Sequence, residues 1–234
     1  MRFLGTASVA LVSLLLASSQ VTAATFSKRA PPLGVQISQC NVNNVVAVTF
    51  DDGPGSFTME LLEKLKGTRV TFFLVGQNVE KYPDVVRRMY NDGHHIASHT
   101  YSHANLNELD ENGVIQEMTR TSDAINKAIG KRPRYMRCPY GECNDKVLAI
   151  LRRLGYKVIY WNLDTLDWQT LSTQKTIDTY NAVSNKRNGN FISLQHDIHK
   201  PTVDAVPGIL NKVRDAGYKV VTVPDCLSDN GLYV

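Results

Sequence analysis

The chain has 234 residues, 43% hydrophobic and 21% charged, an ordinary globular make-up with the length for one α/β domain and too little for two comfortable ones. Its formal charge is +4, and loss of Arg2, Lys28 and Arg29 would take it to +1. No basic field then remains, so nucleic acid and an anionic membrane are poor partners.

Arg2, the apolar run 3–17 and the small-residue site Val21-Thr22-Ala23 read as a secretory signal peptide over 1–23, which makes the protein secreted and extracellular. The competing reading, an uncleaved anchor, needs about 20 apolar residues, more than the run supplies, and no later segment is apolar enough. Lys28-Arg29 offers a dibasic processing site within an N-terminal segment, 24–39, so that the mature chain can begin at Ala30, and residues 40–234 form the folded domain.

From there β-rich apolar runs alternate with amphipathic stretches. Strands are expected at 45–50, 70–75, 95–98, 135–137, 157–160, 191–195 and 219–223, and helices at 56–66, 82–92, 112–129, 145–154, 176–183 and 203–216. Gly93, Gly155 and Gly217 each stand between the last turn of a helix and a strand, where a left-handed residue caps the helix. The regular alternation points to a parallel sheet and a single barrel-like domain, with an open doubly wound sheet as the alternative.

Four cysteines in a secreted chain favour disulfides and allow three pairings. Cys40 precedes the first core strand and Cys226 follows the last, so a bridge between them would tie the termini, while Cys138 and Cys143 can close a small loop. A four-cysteine zinc site competes, but no close C-x-x-C pair is present.

Five segments carry chemistry. At Thr49-Phe50-Asp51-Asp52-Gly53-Pro54 a strand ends in two adjacent carboxylates. Side chains diverge there, so one can bind a metal while its neighbour stays free as a base. At Ser98-His99-Thr100-Tyr101-Ser102-His103 two histidines four apart share one face if the backbone is helical. Two imidazoles and one carboxylate leave a coordination position open, as in catalytic zinc sites, and the set also suits cobalt, nickel or manganese. His94, just after the Gly93 cap, and His95, at a strand start, are expected to be no ligands.

Arg137-Cys138-Pro139-Tyr140-Gly141 is a tight turn that can aim a backbone N–H into a pocket. Asp164-Thr165-Leu166-Asp167-Trp168 joins carboxylates to an aromatic face suited to a sugar ring, and Ile192-Ser193-Leu194-Gln195-His196-Asp197 ends an apolar strand in a histidine, a natural general acid. Taken singly, each segment also has a plain structural reading as an Asx turn, a loop histidine, a pinned turn or a packed tryptophan.

In this order the five segments resemble the polysaccharide deacetylase family, also called carbohydrate esterase family four, and within it the fungal-type chitin deacetylases; the likeness covers roughly 45–223. The resemblance implies a distorted, incomplete (β/α) barrel in one domain and a catalytic domain over 40–234. It also implies a metal-dependent hydrolysis of N-acetyl groups on chitin or chito-oligosaccharides, giving glucosamine units and acetate. Asp51 matches the family's base, and Asp52, His99 and His103 its metal ligands, with Zn²⁺ expected and Co²⁺ able to substitute. Arg137 matches the arginine bracing the base, the Tyr140 N–H the oxyanion donor, Asp167 the acid that orients the catalytic histidine, and His196 the general acid. Trp168 matches the groove wall and Leu194 the wall beside the acetyl methyl. Cys138 departs from the family, which usually has proline or another non-cysteine residue there; no catalytic group is lost. A monomer without a carbohydrate-binding module is expected. The rivals are an acetylxylan O-deacetylase, a peptidoglycan deacetylase and, from another class, a catalytically silent chitin-binding protein.

Overall fold

Strands buried on both faces organise the chain, which is why they read as near-continuous apolar runs rather than as alternating ones. The computed structural model describes residues 30–186 and 188–234, so the expected leader at 1–23 and the Lys28-Arg29 pair lie outside the described residues. In chain order the strands are β1 (Gln36–Ile37), β2 (Val45–Ala47), β3 (Thr49–Asp51), β4 (Thr71–Leu74), β5 (His95–Ser98), β6 (Tyr135–Met136), β7 (Lys157–Ile159), β8 (Leu163–Asp164), β9 (Asn190–Leu194) and β10 (Lys219–Val221). The α-helices are α1 (Thr58–Lys64), α2 (Gly76–Lys81), α3 (Pro83–Asn91), α4 (Glu111–Ile129), α5 (Asp145–Arg153), α6 (Asp167–Thr170), α7 (Thr173–Thr179), α8 (Asn181–Ser184), α9 (Lys200–Asp215) and α10 (Val223–Leu227). Among the described residues no helix is long and apolar enough to cross a membrane.

Two sheets share one extended run. β3 ends a six-stranded sheet of order β1-β7-β6-β5-β4-β3, and β2, one residue upstream, belongs to a four-stranded sheet of order β10-β2-β9-β8. Every ladder in both sheets is parallel. The seam is closed by a parallel bridge between Asp51 and His196 and by Thr49 Oγ, which donates to Ser193 O at 2.5 Å. β1 and β8, the outer strands, do not pair among the described residues, so the curled sheet is an incomplete (β/α) barrel, as expected, and not an open doubly wound sheet.

Side-chain alternation divides the core between the two faces of the curl. Phe50, Phe72, Leu74 and Ile96 pack outward against helical residues such as Leu61, Met89 and Ile125. Ala47, Phe73, Ala97, Tyr135, Ile159 and Ile192 form a second buried cluster with Cys40 and Cys226. Cys40 is disulfide-bonded to Cys226 and Cys138 to Cys143, so both anticipated bridges are present and the four-cysteine zinc alternative is overturned. Gly93, Gly155 and Gly217 have φ of 85°, 83° and 77°, the left-handed geometry their capping positions demand.

Three differences from the sequence reading have physical causes. β4 ends at Leu74 and runs almost directly into α2, whose residues Gly76–Lys81 offered no long apolar period and were missed. The last strand stops at Val221, because Thr222 caps α10 by accepting from the Asp225 N–H at 3.3 Å and Pro224 occupies the first turn. The helix expected over 176–183 is two shorter helices, α7 and α8, meeting at Tyr180.

Candidate active site

Parallel strands deliver their C-terminal ends to one rim, the place where sites form in this architecture. Asp51 ends β3, Asp52 follows it, His99 follows β5, Arg137 follows β6, Asp164 ends β8, and His196 stands two residues beyond β9. Register brings them level, since Asp51 is paired with Phe73, Leu74 with Ser98 and Ser98 with Met136.

Asp52, His99 and His103 each offer one ligand atom, all within 4.8 Å of one another. Asp52 Oδ1 lies 3.4 Å from His99 Nε2 and 3.3 Å from His103 Nε2. It is buried and, among the described residues, takes no hydrogen bond. His99 Nδ1 lies 2.8 Å from Arg137 O; as the donor to that carbonyl it leaves Nε2 as a lone pair turned to Asp52. A carboxylate oxygen and two imidazole nitrogens at these spacings form a donor set that fits a divalent cation. Burial opposes the Asp52 charge, but His99, and then His196 and His103, hold its carboxyl well below the usual range. The helical geometry considered for the two histidines is not what joins them: the segment is a loop, with Thr100 at φ 65° and His103 at φ 60°. His94 and His95 stand apart from the cluster, as expected; His94 Nδ1 accepts from Val70 N–H at 3.2 Å and His95 packs edge-on to Tyr135.

Asp51, the last residue of β3, is buried. Arg137 donates to Asp51 Oδ1 at 2.8 Å and to Thr49 Oγ at 2.7 Å, and its guanidinium lies 4.2 Å from the Phe73 ring centroid. Both charges are almost wholly desolvated, a state that persists only because each satisfies the other. The second oxygen, Oδ2, is 3.9 Å from His99 Nε2 and so faces the Asp52, His99 and His103 cluster.

Asp167 opens α6 and is buried. Its Oδ1 is 2.8 Å from His196 Nδ1, while Oδ2 accepts from the His196 backbone N–H at 2.7 Å and from Thr202 Oγ at 2.6 Å. Burial disfavours the imidazolium, but Asp167, reinforced by Asp51 and Asp52, outweighs it and raises His196 to about 9. Nδ1 is committed to this pair, so Nε2 is the ring nitrogen left for other chemistry.

These groups open into a cleft of about 500 Å³ whose walls include Tyr140, Trp168 and Leu194. Tyr140 has φ 60° in a turn whose bonds run from Gly141 N–H to Cys138 O and from Glu142 N–H to Pro139 O, so its own N–H is not consumed by the turn. Gly141 follows at φ 70°, and a Cβ there would sit 2.7 Å from the Trp161 ring and 2.8 Å from the Tyr160 ring. Trp168 is 53% exposed at the rim and Leu194 is buried in the wall.

The sequence reading missed Thr202, Trp161 and the role of Asp197. Thr202 sits inside an amphipathic helix and gave no local signal. Asp197 is fully buried beneath the turn over 51–53, where Oδ2 accepts from Thr58 Oγ at 2.5 Å and burial raises the carboxyl to about 7. A Cβ at Gly53 would collide with this carboxyl, which explains the glycine.

A carboxylate held by an arginine, an imidazole held by a carboxylate and an N/O ligand cluster, all facing an open groove, define a hydrolase that divides its labour among separate side chains. The polysaccharide deacetylase family model matches residues 38–159, and the chain belongs to that family. It is 42% identical over 204 residues to a chitin deacetylase of Pestalotiopsis sp, covering 85% of this chain and 68% of that protein. It superposes on the solved chitin deacetylase of Colletotrichum lindemuthianum with a TM-score of 0.84 and 37% identity, over 87% of this chain and 96% of that one. A peptidoglycan-N-acetylglucosamine deacetylase of Bacillus cereus is 38% identical over 76% of this chain and 66% of its own length.

Proposed function

We propose that this protein is a secreted, zinc-dependent monomer whose catalytic domain, residues 40–234, removes N-acetyl groups from chitin or chito-oligosaccharides. The observation carrying the reading is that the Asp52, His99 and His103 cluster, the Arg137-bound Asp51 and the Asp167-bound His196 share one groove. The names borne by the fungal relatives support the substrate, and the two disulfides fit an oxidising compartment. The donor set of two imidazoles and one carboxylate supports Zn²⁺, with Co²⁺ able to replace it.

Asp52, His99 and His103 would hold a divalent cation, which when bound would supply Lewis acidity toward the acetamide carbonyl and the hydrolytic water. Asp51, with Oδ1 engaged by Arg137, takes the water proton on Oδ2 while the water oxygen bonds to the carbonyl carbon. The carbonyl oxygen becomes an oxyanion and accepts from the Tyr140 N–H, a donor already fixed before reaction by its turn. His196, protonated and oriented by Asp167, gives its Nε2 proton to the nitrogen as the C–N bond breaks, leaving the amine and acetate. Leu194 and Trp168 line the cleft, where Leu194 would flank the acetyl methyl and Trp168 would offer an apolar face to the sugar ring.

The same groups would serve on peptidoglycan, which the Bacillus relative makes the second reading. Acetate release should be measured on chito-oligosaccharides, peptidoglycan and acetylxylan at equal acetyl concentration. The highest kcat/KM is expected on chito-oligosaccharides. A higher value on either competitor would reassign the substrate, and no acetate from any of them by folded, metal-loaded protein would mean a silent chitin-binding protein.

A further inference from the structure

Between the two histidines of the metal cluster the backbone departs from both strand and helix. Thr100 and His103 hold left-handed φ values, 65° and 60°, in side chains that are not glycine. Such residues are strained and persist only where the surroundings over-determine them. Two elements do so here. On one side the first N–H groups of α2 donate into the loop, Gly76 to Thr100 O at 2.9 Å and Gln77 to Tyr101 O at 3.0 Å.

On the other side stands Glu117, in the second turn of α4. Its Oε2 accepts from both the Tyr101 and the Ser102 backbone N–H at 2.8 Å, and its Oε1 accepts from Ser102 Oγ at 2.9 Å. The left-handed turn carries these N–H groups away from any strand partner, so the carboxylate replaces the ladder. Tyr101 is further fixed by its hydroxyl donating to Glu80 at 2.8 Å and by the Arg120 guanidinium 3.5 Å from its ring centroid.

We propose that Glu117 is a positioning residue of the metal centre: by binding the backbone of Tyr101 and Ser102 it sets the separation and aim of His99 and His103, and through them metal affinity. The inference rests on the assignment of those histidines as ligands. Glu117 acts by hydrogen bonds rather than by charge on the metal, since it reaches the ligands only through the loop. Glutamine keeps an acceptor for the two N–H groups and a donor for Ser102 Oγ, whereas alanine keeps neither.

The test is a Co²⁺ titration of metal-free wild type, Glu117→Ala, Glu117→Gln and His99→Ala, followed by the visible d–d spectrum and by competition with a chelator. Glu117→Ala should bind about 10- to 100-fold more weakly, the range for lost support of a ligand, with an altered band. Glu117→Gln should restore both affinity and spectrum, and His99→Ala should lose the site. Wild-type affinity and spectrum in folded Glu117→Ala, or equal losses in the Ala and Gln variants, would overturn the proposal while leaving the ligands in place. Full binding by His99→Ala would instead overturn the ligand assignment and the proposal with it. Should Glu117→Ala lack the native far-UV circular dichroism, Glu117→Asp, whose carboxylate is withdrawn by one methylene, takes its place: weakened binding supports the inference and wild-type binding overturns it.

Discussion

Asp51→Asn is expected to bind metal as the wild type does and to lose turnover by about 10²- to 10⁴-fold, the usual contribution of a positioned proton-transfer group. Asparagine preserves the shape and can still accept from Arg137 through its carbonyl oxygen. It then turns an amide donor toward His99 and the proposed metal site in place of the carboxylate Oδ2. The Arg137 charge loses its counterion in a site almost without solvent, so stability should fall as well, by up to about 3–5 kcal/mol. Metal content, thermal melting and acetate release therefore have to be measured on one preparation. Near wild-type turnover in a folded, metal-loaded Asp51→Asn protein would remove Asp51 from the role of base.

The second large effect belongs to His196 and depends on the leaving group. An amide expels an amine that must be protonated as the bond breaks, whereas an activated aryl acetate expels a stable anion. His196→Ala should thus lose about 10²- to 10⁴-fold on chito-oligosaccharides and far less on the aryl ester. Equal fractional losses would show that His196 is not the leaving-group acid. Its pKa, raised to about 9 chiefly by Asp167 against the opposing effect of burial, gives the sign of the pH dependence. The group is an acid only while protonated, so amide turnover is sustained below that pKa and falls as pH rises through it. A cation in the neighbouring site would repel the imidazolium and so bring the fall to lower pH in the loaded enzyme. Asp167→Asn removes the charge that raises the pKa and should move the alkaline limb further toward acid.

How far these groups were legible in the sequence follows from the range over which each signal acts. Asp51, Asp52 and His196 stand at strand ends, and an apolar run stopping in a polar residue is a local pattern. The partners are not local: Arg137 meets Asp51 across 86 positions and Asp167 meets His196 across 29, so their roles came only from the resemblance of five segments to a family. The spacing of His99 and His103 would put them on one face only of a helix, yet the loop brings them together through two left-handed residues that no periodicity announces. Glu117 and Thr202 lie within amphipathic helices, where a polar residue reads as solvated surface until the packing shows what it binds. β1 and β8 have two residues each, too few to display a period, whereas the cap of α10 was written in Thr222, Pro224 and Asp225 and could have been read.

The central claim is that acetamide hydrolysis runs through the Asp52, His99 and His103 centre, and stoichiometric reconstitution tests it most directly. Metal-free protein, verified by elemental analysis, would be titrated with Zn²⁺ and with Co²⁺ while acetate release from chito-oligosaccharides and bound metal are followed together. Activity should be absent at the start, rise in proportion to occupancy and saturate at one ion per chain, and His99→Ala and His103→Ala should show both lower occupancy and lower rate. Acetate release at the wild-type rate by verified metal-free protein, or full occupancy in both histidine variants, would contradict it.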